Sequence, residues 1–187
     1  MENNNFAVFI LTHGRPDNVK TLSTLKKCGY TGKIYFIVDN EDKTIEQYQK
    51  NYGIENVKVF DKKAMADEVD EGNNFDERRT ITHARNACFK IAKEIGITYF
   101  VQLDDDYGQF KFRFEQEFGK NKWLIKNIDP IFDLFLNFYK SINAKSIAFS
   151  QGGDHIGGFT KTKLKRKCMN SFFCSTEREF QFVGAMN

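Results

Sequence analysis

Three consecutive carboxylates, Asp104-Asp105-Asp106, follow directly on the apolar run Thr98 to Leu103 (TYFVQL). Like charges packed side by side at the end of a buried strand repel one another, and a divalent cation relieves that repulsion. Mg²⁺ and Mn²⁺ take hard oxygen ligands and bridge readily to substrate phosphates. Side chains alternate along a strand, which predicts Asp104 and Asp106 on one side as metal ligands, directly or through water, with Asp105 opposite. The plainer alternative is a solvated acidic turn. Two other apolar runs end in polar groups: Phe6 to Leu11 (FAVFIL) opens into Thr12-His13-Gly14-Arg15-Pro16, and Lys33 to Val38 (KIYFIV) ends in Asp39.

Several chemistries are absent from the sequence. There is no G-x-x-x-x-G-K-[ST], which argues against a P-loop NTPase. No G-x-G-x-x-G follows the first apolar run, so a dinucleotide site of the usual kind is not expected. A G-x-S-x-G nucleophile elbow is missing as well. The cysteines, Cys28, Cys88, Cys168 and Cys174, include no C-x-x-C pair and read as reduced thiols of a cytosolic protein.

The elements that must position these groups alternate between two periodicities. FAVFIL is continuously apolar, as a strand buried on both faces requires. Asp17 is placed to cap a helix to about Cys28, with Val19, Leu22, Leu25 and Cys28 on one face. Strand Lys33 to Val38, a helix from about Lys43 to Tyr52, and strand Val57 to Phe60 follow. Residues 61–78 are polar and acidic and read as a long excursion. A helix from about Thr80 to Ile95 leads into strand Thr98 to Leu103. This β-α-β-α-β-α-β order predicts an α/β fold with a mostly parallel sheet flanked by helices, and ligands bind such sheets at the carboxyl ends of the strands. Thr12, Asp39 and Asp104–Asp106 all fall there.

The second half is less regular. Alternation of Phe110, Phe112 and Phe114 with charged residues predicts a half-buried strand within Gly108 to Trp123. Asp129 is expected to cap a helix to about Ser141, apolar at Ile131, Phe132, Leu134, Phe135 and Phe138. A short strand, Ser146 to Ser150, empties into a glycine-rich loop at 151–158. The basic run KTKLKRK follows at 161–167, then a strand near Glu179 to Val183. At 187 residues and 21.8 kDa the chain fits one domain. Its net charge of +3, 41% hydrophobic residues and mean hydropathy of −0.54 exclude a histone-like, disordered or membrane-spanning protein. MENNNF lacks the charged and apolar stretches of a secretory signal. Twenty Phe, with plentiful Lys, Asn and Ile, resemble the coding bias of an AT-rich genome, as in a phage or a low-GC bacterium.

A strand ending in Thr12-x-x-Arg15-Pro16, a second ending in Asp39, a helical Ala84-Arg85-Asn86 and a strand entering Asp104-Asp105-Asp106 together resemble the nucleotide-sugar-binding half of GT-A glycosyltransferases across about residues 6–107. THGRP and LDDDY are most similar to the TET-associated glycosyltransferases, which are thought to decorate hydroxymethylated pyrimidines in phage DNA. The resemblance implies a Rossmann-like nucleotide-binding half at 1–107 and a smaller acceptor half at 108–187. It places Thr12 and Arg15 by the nucleotide, Asp39 on the base or ribose, and Arg85 facing the diphosphate. Asp105 would touch ribose, and Asp104 and Asp106 would hold Mn²⁺ or Mg²⁺. The residue types alone leave Asp39 open as a strand-end cap or ion pair, and Arg85 as a helix salt bridge to Asp76 or Glu77.

Inverting members of the superfamily carry an acceptor-side carboxylate as general base. Their usual Glu-Asp pair opening a helix is not found, and the chain ends at Met186-Asn187 about where one would begin. Asp154 is the substitute candidate, with His155 beside it. A retaining mechanism and a truncated chain are both consistent with this gap. KTKLKRK carries five positive charges that suit a DNA phosphate backbone, or simply a solvated surface. The reduced cysteines and the absence of a secretory signal lead to the cytoplasm as the expected compartment, the host's if the protein is phage-encoded. The rival readings are a sugar nucleotidyltransferase, for which His13-Gly14-Arg15 is too short a signature, and a non-catalytic nucleotide-sugar-binding module.

Overall fold

The computed structural model describes residues 5–69, 80–112, 124–150 and 169–183. Strand β1 (Phe6–Leu11) is buried along its whole length. Its alternating side chains feed two cores. Phe6, Val8 and Ile10 point into one with helices α1 (Lys20–Lys27), α2 (Ile45–Tyr52) and α5 (Asp129–Ser141). Ala7, Phe9 and Leu11 point into the other with α3 (Lys62–Asp67) and α4 (Thr82–Glu94). A sheet covered on both faces results. Strands β2 (Lys33–Asp39), β3 (Val57–Phe60) and β4 (Tyr99–Asp104) are parallel to β1, while β5 (Ile147–Ser150) and β6 (Met169–Ser175) join antiparallel, in the order β3-β2-β1-β4-β6-β5. The mostly parallel α/β sheet expected from the sequence is therefore present.

Aromatic packing dominates the α5 side. Phe132, fully buried, meets Phe6, Phe110 and Phe173 edge-on at centroid separations of 6.0, 6.3 and 5.6 Å. Truncating such a ring costs about 3–5 kcal/mol. The exposed side of α5 departs from the expected pattern. Leu134 and Phe138 are 63% and 54% exposed, while Leu136 and Tyr139 take the buried positions with Phe132.

Four local expectations are corrected. Asp17 does not cap α1: Asn18 N donates to Arg15 O at 3.0 Å in a turn that holds Asp17, and the helix starts after Val19. The Asp17 carboxylate instead accepts from Asn51 Nδ2 at 2.9 Å. Asp129 is the first residue of α5, not its cap, because its carboxylate is taken by Thr31 N and Oγ1. The acidic excursion after β3 begins as helix, with Asp61 capping α3 through Ala64 N at 2.9 Å and Met65 buried. Finally, 179–183 forms no strand. The place beside β4 belongs to β6, and Phe180 and Phe182 pack against the α4 side.

The half-buried strand expected from the Phe110–Phe114 alternation is not formed over the described residues: Phe110 is buried, Phe112 is exposed, and one isolated antiparallel bridge joins Lys111 to Leu124. Phe114 and the rest of that segment lie outside the described residues. Cys28, Cys88 and Cys174 are free and buried. Among the described residues no helix is long and apolar enough to cross a membrane.

Candidate active site

The aspartate triplet forms the end of β4 and the turn after it, and α1 fixes its backbone. Thr21 Oγ1 donates to Asp104 O and accepts from Tyr107 N at 2.9 Å, and Thr21 N donates to Asp105 O at 3.1 Å. One turn further along the helix, Thr24 Oγ1 donates to Tyr107 O at 2.7 Å. Two threonines on one helix face thus set the direction in which each carboxylate leaves the turn.

The three carboxylates have different surroundings. Asp105 is buried toward β1, its Oδ2 accepting from Thr12 Oγ1 at 2.8 Å and its Oδ1 from Arg15 Nη1 at 3.1 Å. Arg15 remains 59% exposed, so most of its guanidinium stays available to an incoming anion. Asp104 faces α4 and β6. Its Oδ1 accepts from Arg85 Nη2 and its Oδ2 from Asn170 Nδ2, both at 2.9 Å. Asp106 is exposed and makes no hydrogen bond or ion pair with the described residues.

Arg85 is 4% exposed, with its guanidinium 4.9 Å above the Phe172 ring. Gln102 Nε2 donates to Arg85 O at 3.0 Å, which ties β4 to α4 at this point. Among the described residues the ion-pair partner of Arg85 is Asp104; Asp76 and Glu77 lie outside them. Asn86, next along α4, clamps the backbone of Phe182, accepting from its N–H at 2.8 Å and donating to its carbonyl at 3.0 Å.

Asn170 reaches Asp104 through a break in the ladder. Phe172 pairs with Ala148 and Asn170 with Phe149, so Ser171 is an extra residue in β6. It has φ 59°, alone among the described non-glycine residues in being positive, and its N–H donates to Asn170 Oδ1 at 2.7 Å. That bond fixes the amide so that Nδ2 is the atom presented to Asp104. Bulges commonly re-aim a side chain beside an active site.

A second cluster lies on the β2 side. Asp39 Oδ2 is 2.6 Å from His13 Nδ1, and its Oδ1 accepts from Glu41 N at 3.2 Å and Lys62 Nζ at 3.5 Å. Asp42 accepts from Gly14 N at 2.6 Å and from both N and Oγ1 of Thr44 at 2.8 and 2.6 Å. Burial would raise the Asp42 carboxyl, but these bonds from Thr44 and Gly14 outweigh it and hold the group below its ordinary value. Gly14 has φ +67° with open space at its Cβ position, so backbone conformation rather than crowding favours glycine there.

The two clusters meet at Tyr48, whose Oη lies 2.8 Å from Thr12 Oγ1 and accepts from Arg15 N at 2.8 Å. Thr12 and Arg15 thus converge on Asp105, Arg85 joins Asp104, and Asp39 stands apart with His13. Asp154, His155 and the basic run at 161–167 lie outside the described residues. His13, Asp42, Tyr48 and Asn170 were not singled out from the sequence. His13 lies inside the THGRP motif, whereas Tyr48 and Asn170 carry no local signal in the sequence.

Hard carboxylate oxygens suit Mg²⁺ or Mn²⁺, and Asp106, unpartnered among the described residues, is the group with lone pairs to spare. Among the described residues no three metal-ligating side chains converge, so water and a ligand's own oxygens would have to complete the coordination.

A mostly parallel sheet flanked by helices, with polar residues gathered at the carboxyl ends of β1, β2 and β4, defines a GT-A-like protein. The chain belongs to the TET-associated glycosyltransferase family, whose model matches residues 6–187. It is accordingly a glycosyltransferase. No curated protein matches it.

Proposed function

We propose that this glycosyltransferase takes its sugar from a nucleoside diphosphate donor with Mn²⁺ or Mg²⁺ bound, and passes it to a hydroxymethylated pyrimidine in DNA. The observation that carries the donor reading is the carboxylate of Asp106, unpartnered among the described residues, beside two neighbours that are both tied down. Asp106 would hold the cation, and the remaining lone pairs of Asp104 suit a contact through water. The cation's chemistry there is to neutralise charge on the departing nucleoside diphosphate.

The chain's own groups prepare that exchange. Arg15, half-exposed and aimed by Asp105, suits a phosphate oxygen. Arg85 holds Asp104 in place from below the surface rather than reaching outward. Asp105 orients Thr12 and Arg15, and its burial leaves it little access to a ribose. On the acceptor side, the reading rests on the sequence: Asp154 as the base that takes the hydroxyl proton, and KTKLKRK as the track for a DNA backbone.

Calorimetric titration with uridine diphosphate and UDP-glucose, with and without Mn²⁺, tests the donor side. Mn²⁺-dependent binding supports it. If no nucleoside diphosphate binds in either condition, the donor reading is wrong. Sugar transfer to hydroxymethylated DNA tests the acceptor side.

A further inference from the structure

Asp39 would be the obvious group to contact a nucleobase at the end of β2, yet it is occluded. Its side chain is 7% exposed, with His13 on one oxygen and Glu41 N and Lys62 Nζ on the other. His13 lies over it with its own side chain 56% exposed. We infer that His13 is the residue that reads the nucleobase of the donor, and that it does so as a hydrogen-bond acceptor selecting a base with a ring imide N–H. This inference rests on the nucleoside diphosphate reading above.

The tautomer follows from the partners. His13 Nδ1 faces only acceptors, Asp39 Oδ2 at 2.6 Å and Asp42 Oδ2 at 3.8 Å, so Nδ1 carries the proton. In a neutral imidazole the other nitrogen, Nε2, is then an acceptor. Nε2 has no partner among the described residues, and more than half of the side chain is open to solvent. Position also fits. One strand, β1, separates the end of β2 from the end of β4, so Asp39, to which the His13 ring is hydrogen-bonded, stands about 10 Å from the end of β4 at the usual strand spacing. That is the reach of a ribosyl diphosphate.

Uracil, thymine and guanine present an imide N–H that Nε2 can accept. Cytosine and adenine present a bare ring nitrogen at the equivalent edge, and two lone pairs would face each other. Leaving such groups unpaired lowers affinity by about 10-fold or more.

The test compares UDP with CDP, and GDP with ADP, by calorimetry with Mn²⁺ at about pH 8.5, above the range in which histidine ordinarily carries charge. The protein should bind UDP about 10-fold or more tightly than CDP, and GDP more tightly than ADP. His13→Ala should bring both ratios close to one. Asp39→Asn is the sharper variant. Glu41 N and Lys62 Nζ both require an acceptor at Oδ1, so the new amide must turn its NH₂ toward His13 Nδ1. The ring proton then moves to Nε2, and the UDP-over-CDP preference should fall below one. Because His13 is exposed, the His13→Ala result stands even if Asp39→Asn folds poorly. Ratios that persist in His13→Ala, or a native preference for CDP and ADP, overturn the assignment while leaving the donor reading intact. Failure of all four nucleotides to bind, with Mn²⁺ or without, overturns both.

Discussion

The hydroxyl of Tyr48 lies 2.8 Å from Thr12 Oγ1, 36 residues earlier in the chain, and it can only donate across that gap. Thr12 has one hydroxyl proton and gives it to Asp105 Oδ2. The Tyr48 oxygen in turn accepts from Arg15 N. The bonds therefore run in one direction, from the Arg15 backbone through Tyr48 and Thr12 to Asp105, and hold the THGRP turn against the aspartate turn. Burial raises the Tyr48 phenol above its ordinary value, which keeps the donating proton in place.

Tyr48→Phe keeps the ring in the core and removes only the relay. Thr12 loses its donor and Arg15 N its acceptor. Unfolding in urea should show a loss of about 1–3 kcal/mol. If stability is unchanged, the relay has no energetic weight.

Arg85→Ala leaves Asp104 with one partner where it had two. Asp104 is partly exposed, so the cost should fall near the low end of the range for breaking a buried pair, about 3 kcal/mol. Arg85→Lys should recover little, because a single ammonium does not reproduce the planar contact with Phe172. Chemical denaturation of both variants checks this.

Asp106→Asn removes a charge from an exposed turn and no core volume. The thermal midpoint should stay near that of the unaltered protein while Mn²⁺-dependent nucleotide binding is lost. Calorimetry that finds the same affinity in the variant removes Asp106 from the metal site.

Asp42 makes stability depend on acid. Its folded-state carboxyl sits below the ordinary value, so its contribution is present above the unfolded-state range and is lost as pH falls through the folded-state value. Asp42→Asn lacks that contribution and turns an NH₂ toward Gly14 N or Thr44. The stability gap between the two proteins should be full at about pH 7 and should shrink below about pH 4.

Replacing Lys165, Arg166 and Lys167 by alanine tests the DNA acceptor. Three lost phosphate contacts should lower the slope of log affinity against log salt by about 2–3. An unaltered slope places the acceptor elsewhere.

The architecture was legible because burial on both faces leaves a plain mark. FAVFIL and TYFVQL cannot sit at a sheet surface, and their alternation with helical segments leads to parallel pairing. The same reasoning located Thr12, Asp39 and Asp104–Asp106 at strand ends. It misplaced β6, because the MNSFFCS segment, Met169–Ser175, contains a bulge that breaks simple alternation. It also assigned caps to Asp17 and Asp129, whose carboxylates found partners in distant segments.

The role of each carboxylate was decided by tertiary structure. Three identical residues in a row carry no difference in sequence, yet Asp104 is tied by Arg85 and Asn170, Asp105 by Thr12 and Arg15, and Asp106 by none of the described residues. Those partners lie between 19 and 93 positions away. Periodicity reports which way a side chain leaves its own backbone, and so the sequence alone determined the parallel strands β1 to β4 and the residues at their ends. Which lone pairs are occupied depends on donors delivered by other strands and helices, and only folding brings those within hydrogen-bond distance.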